Sequence, residues 1–350
     1  MRNTLSWVIW AGCAAIPALM IRNPIYTAII ALAAGLALVV IEREDAGAAM
    51  GWRGLLRLGA VIGLIAVPFN ALMVHQGRHV LFRLPLSWPL VGGDITLEAI
   101  VAGLASAFSL WTVLLIFAAF NLAVDASQLV RLVPPFLHQA GVVSSIALTF
   151  VPQLIVSARD IREAQRIRGH RFRGRRDMLP LIVPLLTMAL ERAIGLAESM
   201  ESRGFGDGTA EGHRHRGVLL SGLLLTGLAL RMYWAQRPLW GIVMLAAGGV
   251  LVAGTFYAQG RGVRRTRYRR ERWEGDDTVI VLCGAVALAG VLVTRVLDAM
   301  ALAYYPYPPY SMMPAFRPSV GLSLLLLAAP ALLAWKRTRH VARADMGRRS

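Results

Sequence analysis

Two stretches in the middle of the chain end in the same pattern of charged and small residues. Each has a glutamate, four further residues and then Arg-Gly, and the second copy follows the first after 35 residues: Glu163 with Arg168-Gly169, and Glu198 with Arg203-Gly204. A guanidinium is a planar fork of N–H donors that pairs with carboxylates through two parallel hydrogen bonds. The pattern therefore predicts two arginines that dock into acidic pockets of a partner.

Other groups that could do chemistry lack the spacing that catalysis requires. Asp276-Asp277 is a lone acidic dipeptide, whereas prenyl-type transferases need aspartate clusters to hold magnesium and diphosphate. His213 and His215 lie close together but without the His-Glu-x-x-His pattern of zinc hydrolases. Lys336 is the sole lysine and no Walker A motif surrounds it. We therefore expect a chain that is not an enzyme and binds no metal or cofactor, with any ATP used by partner subunits.

The elements that position the two arginines are predicted to be long helices. Glycine is common just past a helix end, and arginine in the last turn is favoured by the negative end of the helix dipole. Pro152 and Pro184 lie upstream, which places each terminal arginine roughly 24 to 28 Å farther along its helix. The candidate docking residues are Ile167, Arg168, Gly169, Ser202, Arg203 and Gly204, and the candidate supporting residues are Glu163, Gln165, Arg166 and Glu198.

The composition indicates a membrane protein. Only 16% of the 350 residues are charged, the mean hydropathy is +0.56 and the net charge is +17. This excludes a disordered chain and disfavours a soluble enzyme. Long charge-free runs predict an all-α fold with about eight membrane-spanning helices. We place these helices at about residues 5–21, 24–41, 56–74, 95–121, 217–232, 239–257, 278–303 and 319–335.

The placement of arginine predicts the topology. With both termini on the cytoplasmic side of the cell membrane, 30 Lys and Arg residues lie inside and six outside, as the positive-inside rule requires. These arginines would face the anionic headgroups of the lipid bilayer, so the high positive charge does not indicate nucleic acid as a partner. Arg295 and Asp298, three residues apart, are expected to pair near the outer boundary.

The middle segment is expected to stay inside the cell. If its two apolar stretches formed an inserted hairpin, the eight arginines from Arg159 to Arg176 would have to cross the membrane. We therefore divide the chain into an N-terminal four-helix membrane region (1–138), a cytoplasmic region of two helices that end in the Arg-Gly motifs (139–216) and a C-terminal membrane region with a basic loop and tail (217–350).

The motifs of this middle region resemble those of a known family, the transmembrane T component of energy-coupling factor (ECF) transporters, a membrane subunit of the cobalt transport protein type. Members of that family end two coupling helices in short motifs centred on arginine, commonly Ala-Arg-Gly. Ile167-Arg168-Gly169 and Ser202-Arg203-Gly204 match them, with Ile or Ser at the first position. Further similar stretches are Asn23-Pro24, Gly92 to Glu98, Phe150-Val151-Pro152 and Ala164-Gln165.

The resemblance implies partners and a function. In such transporters the arginine motifs insert into grooves of two ABC ATPase subunits, whose motion reaches a separate substrate-binding membrane S component that takes up a vitamin or a metal ion. The resemblance extends over about residues 20–260, and the last two helices, beyond about Thr278, lie outside it.

A self-sufficient secondary transporter, or another multi-spanning permease, is the alternative. Such proteins place ionisable groups or broken helices at the bilayer midplane, often in repeated halves. The first four predicted spans of this chain hold almost no such groups. A subunit that relies on partners explains that composition better.

Overall fold

The computed structural model describes residues 3–44, 52–84, 93–134, 137–170, 174, 176–205, 218, 220–228, 238–261, 273–308 and 313–335. His213, His215 and Lys336, considered above, lie outside these residues. The described chain is almost entirely helical, which confirms the all-α prediction. Its helices are α1 (Thr4–Met20), α2 (Pro24–Glu44), α3 (Trp52–Met73), α4 (Leu97–Ala123), α5 (Ala126–Arg131), α6 (His138–Ile167), α7 (Leu179–Glu201), α8 (residues 220–228), α9 (Pro238–Arg261), α10 (Gly275–Leu297) and α11 (Pro318–Leu325).

Six of the described helices are long and apolar enough to cross a membrane, so the chain is a multi-pass membrane protein. They are Pro24–Glu42, Leu97–Ala123, His138–Ile167, Leu179–Glu201, Gly275–Leu297 and Pro318–Trp335. The last combines α11, the 3-10 turn Leu326–Ala328 and the helical residues 329–335. Shorter apolar helices cover Thr4–Met20, Arg57–Met73 and Val243–Thr255.

A small hairpin that the sequence did not reveal precedes α4. Strands β1 (Val80–Arg83) and β2 (Asp94–Thr96) pair in antiparallel fashion. Glu98, in the first turn of α4, is 3% exposed and accepts hydrogen bonds from the backbone N–H groups of Arg78 and His79 at 2.9 and 3.2 Å. Its Oε1 is also 3.0 Å from His79 Nδ1. The buried carboxylate therefore fixes the hairpin to the start of the helix.

The described chain divides into two compact units, of which the first comprises residues 1–128 and 269–350. Its core runs along α1 and α2, where Ala18, Tyr26 and Ala33 have no exposed surface. Helices α3 and α4 pack closely, because a Cβ on Gly103 would lie 3.1 Å from the Cα of Val67. Close approach of backbones through small residues is a usual way for helices to associate within a membrane.

The last two helices belong to this same first unit. The indole of Trp10 in α1 donates to the carbonyl oxygen of Leu327 at 3.0 Å. Asn23 Nδ2 donates to the carbonyl of Ala315 at 2.6 Å, and the Tyr26 hydroxyl accepts from the backbone N–H of Arg317 at 2.7 Å. Three polar side chains of α1 and α2 and the turn between them therefore find partners on the C-terminal backbone, so α10 and α11 are an integral part of the bundle.

The expected pair of Arg295 and Asp298 is wrong. Helix α10 ends at Leu297, before the predicted limit, and Asp298 leaves the helix with φ −153° and ψ 84°. Two residues three apart share a face only while both are helical. Asp298 instead forms an ion pair with Arg317, at the start of α11.

The second unit comprises residues 129–268 and contains α6 to α9. Helices α6 and α7 pack against each other, and none of their residues is buried. Helices α8 and α9 meet at two glycines, because a Cβ on Gly248 would lie 3.0 Å from the carbonyl oxygen of Gly222. This unit holds every residue of the two Arg-Gly motifs.

Candidate functional site

The first Arg-Gly motif closes α6 with a Schellman cap. Gly169 has φ +84°, in the left-handed region that glycine adopts without strain. The backbone N–H of Gly169 donates to the carbonyl of Arg166 at 3.0 Å, and that of His170 donates to the carbonyl of Gln165 at 2.9 Å. These are the two hydrogen bonds that define this cap. Arg168 is the last residue before the turn.

The second motif closes α7 in the same way. Gly204 has φ +73°. Its N–H donates to the carbonyl of Glu201 at 2.8 Å, and the N–H of Phe205 donates to the carbonyl of Met200 at 2.9 Å. Arg203 thus occupies the position in its cap that Arg168 occupies in the first. The two tips share one local structure as well as one sequence pattern.

Both tips are open to their surroundings. Arg168, Gly169, Arg203 and Gly204 are exposed, and the side chain of Ile167 is 81% exposed. A Cβ on either glycine would meet nothing within 4 Å. Neither arginine forms an ion pair with a residue that the structure describes. Each tip therefore presents an exposed guanidinium on a rigid helix end.

Three of the four predicted supporting residues contact the tips through their backbone carbonyls. The carbonyls of Gln165 and Arg166 are the two acceptors of the first cap. In the second cap, the carbonyl of Glu198 accepts from the N–H of Ser202 at 3.0 Å. The side chains of Glu163 and Glu198 are exposed.

Helices α6 and α7 run in opposite directions. Near their centres, Arg192 Nη1 donates to Gln153 Oε1 at 3.1 Å. At one end the ring of Phe205 lies 6.4 Å from that of His138, and at the other His170 Nε2 lies 2.9 Å from the carbonyl of Asp177. Residue numbers fall along one helix as they rise along the other, which is the mark of antiparallel neighbours.

The antiparallel arrangement places the two arginines at opposite ends of the helix pair. Arg168 lies 15 residues beyond Gln153, and Arg203 lies 11 residues beyond Arg192 in the other direction. At 1.5 Å per residue, the tips are separated by up to about 40 Å along the helix axes. The sequence predicted two matched tips but not that they point apart.

Each tip also contacts the beginning of the other helix. The residue after each glycine makes this contact: His170 reaches the 3-10 turn Arg176–Met178 that leads into α7, and Phe205 reaches the first residue of α6. Sequence reasoning missed His170, Phe205, His138 and the Gln153–Arg192 hydrogen bond. In a Schellman cap, the residue after the glycine donates one of the two hydrogen bonds. The two Arg-Gly dipeptides were therefore the signal in the sequence that could have pointed to His170 and Phe205.

Comparison with known proteins identifies the family of this chain. The model of the family described as "Cobalt transport protein" (CbiQ) matches residues 2–214. This range includes α1 to α7 and both Arg-Gly tips and excludes α10 and α11.

Curated relatives carry the name "Energy-coupling factor transporter transmembrane protein EcfT". The protein of Bacillus selenitireducens is 30% identical over 153 residues, which are 39% of this chain and 55% of the relative. That of Lactococcus lactis is 30% identical over 173 residues, 43% of this chain and 62% of the relative. That of Thermotoga maritima is 44% identical over 72 residues, 19% of this chain and 27% of the relative.

The chain thus spans 55% to 62% of the length of the first two relatives. The family match is broader, because it extends over more than half of the chain and takes in every helix from α1 to α7. The chain therefore belongs to the cobalt transport protein family, the family of the transmembrane T components of ECF transporters.

Proposed function

We propose that the chain is the energy-coupling transmembrane subunit of an ECF-type ABC importer. In this proposal Arg168 and Arg203 each dock into an acidic groove of one of two ABC ATPase subunits. ATP is used in those subunits, and their motion passes through α6 and α7 to the membrane helices. A separate substrate-binding membrane S component then reorients and releases a vitamin or a transition-metal ion.

The observation that carries the proposal is the pair of matching tips at opposite ends of one antiparallel helix pair. A partner with one groove would need only one tip, whereas two ATPase subunits offer two grooves that lie apart. The Schellman caps give the backbone the same conformation around both arginines. Two copies of one kind of groove can therefore receive both arginines.

The arrangement also supports a cytoplasmic position for the helix pair. By length and composition alone, α6 and α7 could each cross a membrane. Because they are antiparallel, crossing would put Arg168 and Arg203 on opposite sides of the bilayer, which is about 30 Å thick. Both tips can reach one cytoplasmic machine only if the pair lies along the membrane surface. We therefore retain the topology in which both termini and residues 139–216 are cytoplasmic.

Docking of the two arginines would contribute measurably to the binding free energy between this chain and the ATPase subunits. Hydrogen bonds to charged groups contribute about 1.5 to 3 kcal/mol each. Loss of one docked arginine should therefore weaken assembly by at least about tenfold. Reversing its charge should weaken assembly further, because a carboxylate would then face an acidic groove.

The test is co-purification of the full chain with its ATPase pair after Arg168→Glu and Arg203→Glu, singly and together. We expect partial loss of the complex for each single variant and nearly complete loss for the double variant. Arg57→Glu with Arg131→Glu is a control of equal charge change, since both arginines are exposed and lie outside the tips. Undiminished assembly and ATPase-coupled uptake in the double tip variant would overturn the proposal.

A further inference from the structure

A buried carboxylate joins the first turns of two helices that are far apart in the sequence. Asp277 is the third residue of α10 and is 7% exposed. Its Oδ1 accepts a hydrogen bond at 2.9 Å from the hydroxyl of Ser6, the third residue of α1, which has no exposed surface. Its Oδ2 accepts from the backbone N–H of Glu274 at 3.0 Å and so caps α10. One side chain therefore holds the beginning of α10 and the beginning of α1 together.

Helices α1 and α10 run parallel and in register. Seven residues beyond the Ser6–Asp277 hydrogen bond in both helices, a Cβ on Gly284 would lie 3.2 Å from the Cβ of Cys13. The positive ends of the two helix dipoles therefore lie side by side, which is unfavourable unless a negative charge accompanies them. The Asp277 carboxylate supplies that charge. It thus stabilises the first turn of α1 by charge as well as by its hydrogen bond.

The first turn of α1 also contacts α5. Thr4 is 1% exposed, and its hydroxyl donates to Gln128 Oε1 at 3.3 Å. Helix α5 begins in the first unit and ends in the second, so it is the stretch of chain that leads from the membrane bundle toward α6. It has only six residues, and none of them is buried. A short helix with so little packing depends on such side-chain contacts for its position.

We propose that Asp277 is a positioning residue for energy coupling. Through Ser6 it holds the first turn of α1, and that turn holds Gln128 and the beginning of α5. Movement of the second unit is then passed to the membrane helices instead of being absorbed in the connection between them. The proposal rests on the proposed function, and it gives a role to α10, which lies outside the range 2–214 that the family model matches.

The first measurement uses the full chain alone in nanodiscs and follows amide hydrogen exchange at residues 126–133. Asp277→Asn removes the charge and one acceptor, and Thr4→Val removes the hydroxyl while keeping the shape of the side chain. We expect each to speed exchange there by about three- to tenfold. Thr4→Ser keeps the hydroxyl and should exchange like the wild type. Unchanged exchange in either Asp277→Asn or Thr4→Val would overturn the proposal.

The second measurement is the amount of substrate taken up per ATP hydrolysed by the assembled transporter. Asp277→Asn and Thr4→Val should keep the ATPase pair and lower this ratio by about two- to tenfold. Trp10→Phe is the matched control, because it also breaks a hydrogen bond between α1 and the C-terminal helices, to the Leu327 carbonyl, but at a place that does not contact α5 through a side chain of the first turn. It should lower stability and leave the ratio unchanged.

These results separate a positioning role from a purely structural one. If Asp277 only held α10 on α1, Asp277→Asn would lower stability as Trp10→Phe does, with the same uptake per ATP as the wild type, and the proposal would be wrong. Failure of the proposed function gives a different result, namely intact ATPase assembly in the double variant Arg168→Glu with Arg203→Glu.

Discussion

The ring of Phe205 lies 6.4 Å from the ring of His138, with an angle of 53° between their planes. The residue that follows the second Arg-Gly tip is thus in contact with the first residue of α6. This contact links the second tip to the far end of its neighbouring helix.

Removing this contact should loosen the second tip. Aromatic pairs contribute about 0.5 to 1.5 kcal/mol beyond the area they bury. Phe205→Ala should therefore speed amide hydrogen exchange at residues 200–205 by about three- to tenfold and lower ATPase-coupled uptake, while Arg203 itself is unchanged. Phe316→Ala, which removes a ring that packs at a tilt against Tyr26 in the other unit, is the control. Unchanged exchange at the tip in Phe205→Ala would show that the ring contact does not hold it.

The tip glycines should tolerate asparagine better than alanine. At φ +84° and +73°, a Cβ is strained even though space is open around it. Alanine should cost about 1 kcal/mol at each position, and asparagine less, because its side chain suits the left-handed region. Uptake by Gly169→Ala with Gly204→Ala, compared with the two asparagine substitutions, checks this. Equal activity of the alanine and asparagine variants would mean that the caps do not position the arginines.

The separation of the tips can be measured directly. Spin labels at Ile167→Cys and Ser202→Cys, with the native cysteines replaced by alanine, should give a distance of roughly 30 to 40 Å by double electron–electron resonance, as helix rise predicts for antiparallel neighbours. A parallel pair would bring the labels to within about 20 Å of each other. The shorter distance would contradict the antiparallel arrangement.

Arg192 should keep α6 and α7 aligned. Its hydrogen bond to Gln153 is exposed, so we expect a contribution of about 0.5 to 1 kcal/mol. Arg192→Met should broaden the distribution of tip distances and lower uptake without preventing ATPase assembly. A double-mutant cycle with Gln153→Leu isolates the pair, and additive effects in that cycle would exclude a direct link between the two side chains.

Trp10 should stabilise the packing of the C-terminal helices on α1. Trp10→Phe keeps most of the ring but removes the N–H that donates to the Leu327 carbonyl, leaving a buried acceptor unpaired. We expect a loss of about 1 to 3 kcal/mol in stability, measured as a lower melting temperature in detergent. Leu19→Ala, an exposed site on the same helix, is the control. Equal melting temperatures for the two variants would show that the indole hydrogen bond does not stabilise the protein.

The helices themselves could be predicted from the sequence because long apolar runs and end signals are local features. Residues 5–21 were predicted as the first span, and α1 is Thr4–Met20. The strands β1 and β2 could not be foreseen, since they are only four and three residues long and depend on the buried Glu98. Asp298 was assigned the wrong partner because its true partner, Arg317, is distant in the sequence.

In the candidate site, too, the features that depend on neighbouring residues could be predicted, and those that depend on residues far apart in the sequence could not. Both Arg-Gly ends were predicted from capping rules that apply within one turn of helix. The direction of α7 relative to α6 depends on contacts such as Gln153 with Arg192 and His138 with Phe205, which join residues 39 and 67 apart. The short connection between Ile167 and Leu179 favours antiparallel helices, but no capping rule reports which side chains meet between them.

The antiparallel helix pair has a consequence for symmetry. Two like helices that run in opposite directions are related by an approximate twofold axis, which here passes close to Gln153 and Arg192. Paired subunits most often associate about a twofold axis as well. Under the proposed function, α6 and α7 would align this axis with that of the ATPase pair. A symmetric movement of the partner would then displace Arg168 and Arg203 equally and in opposite directions.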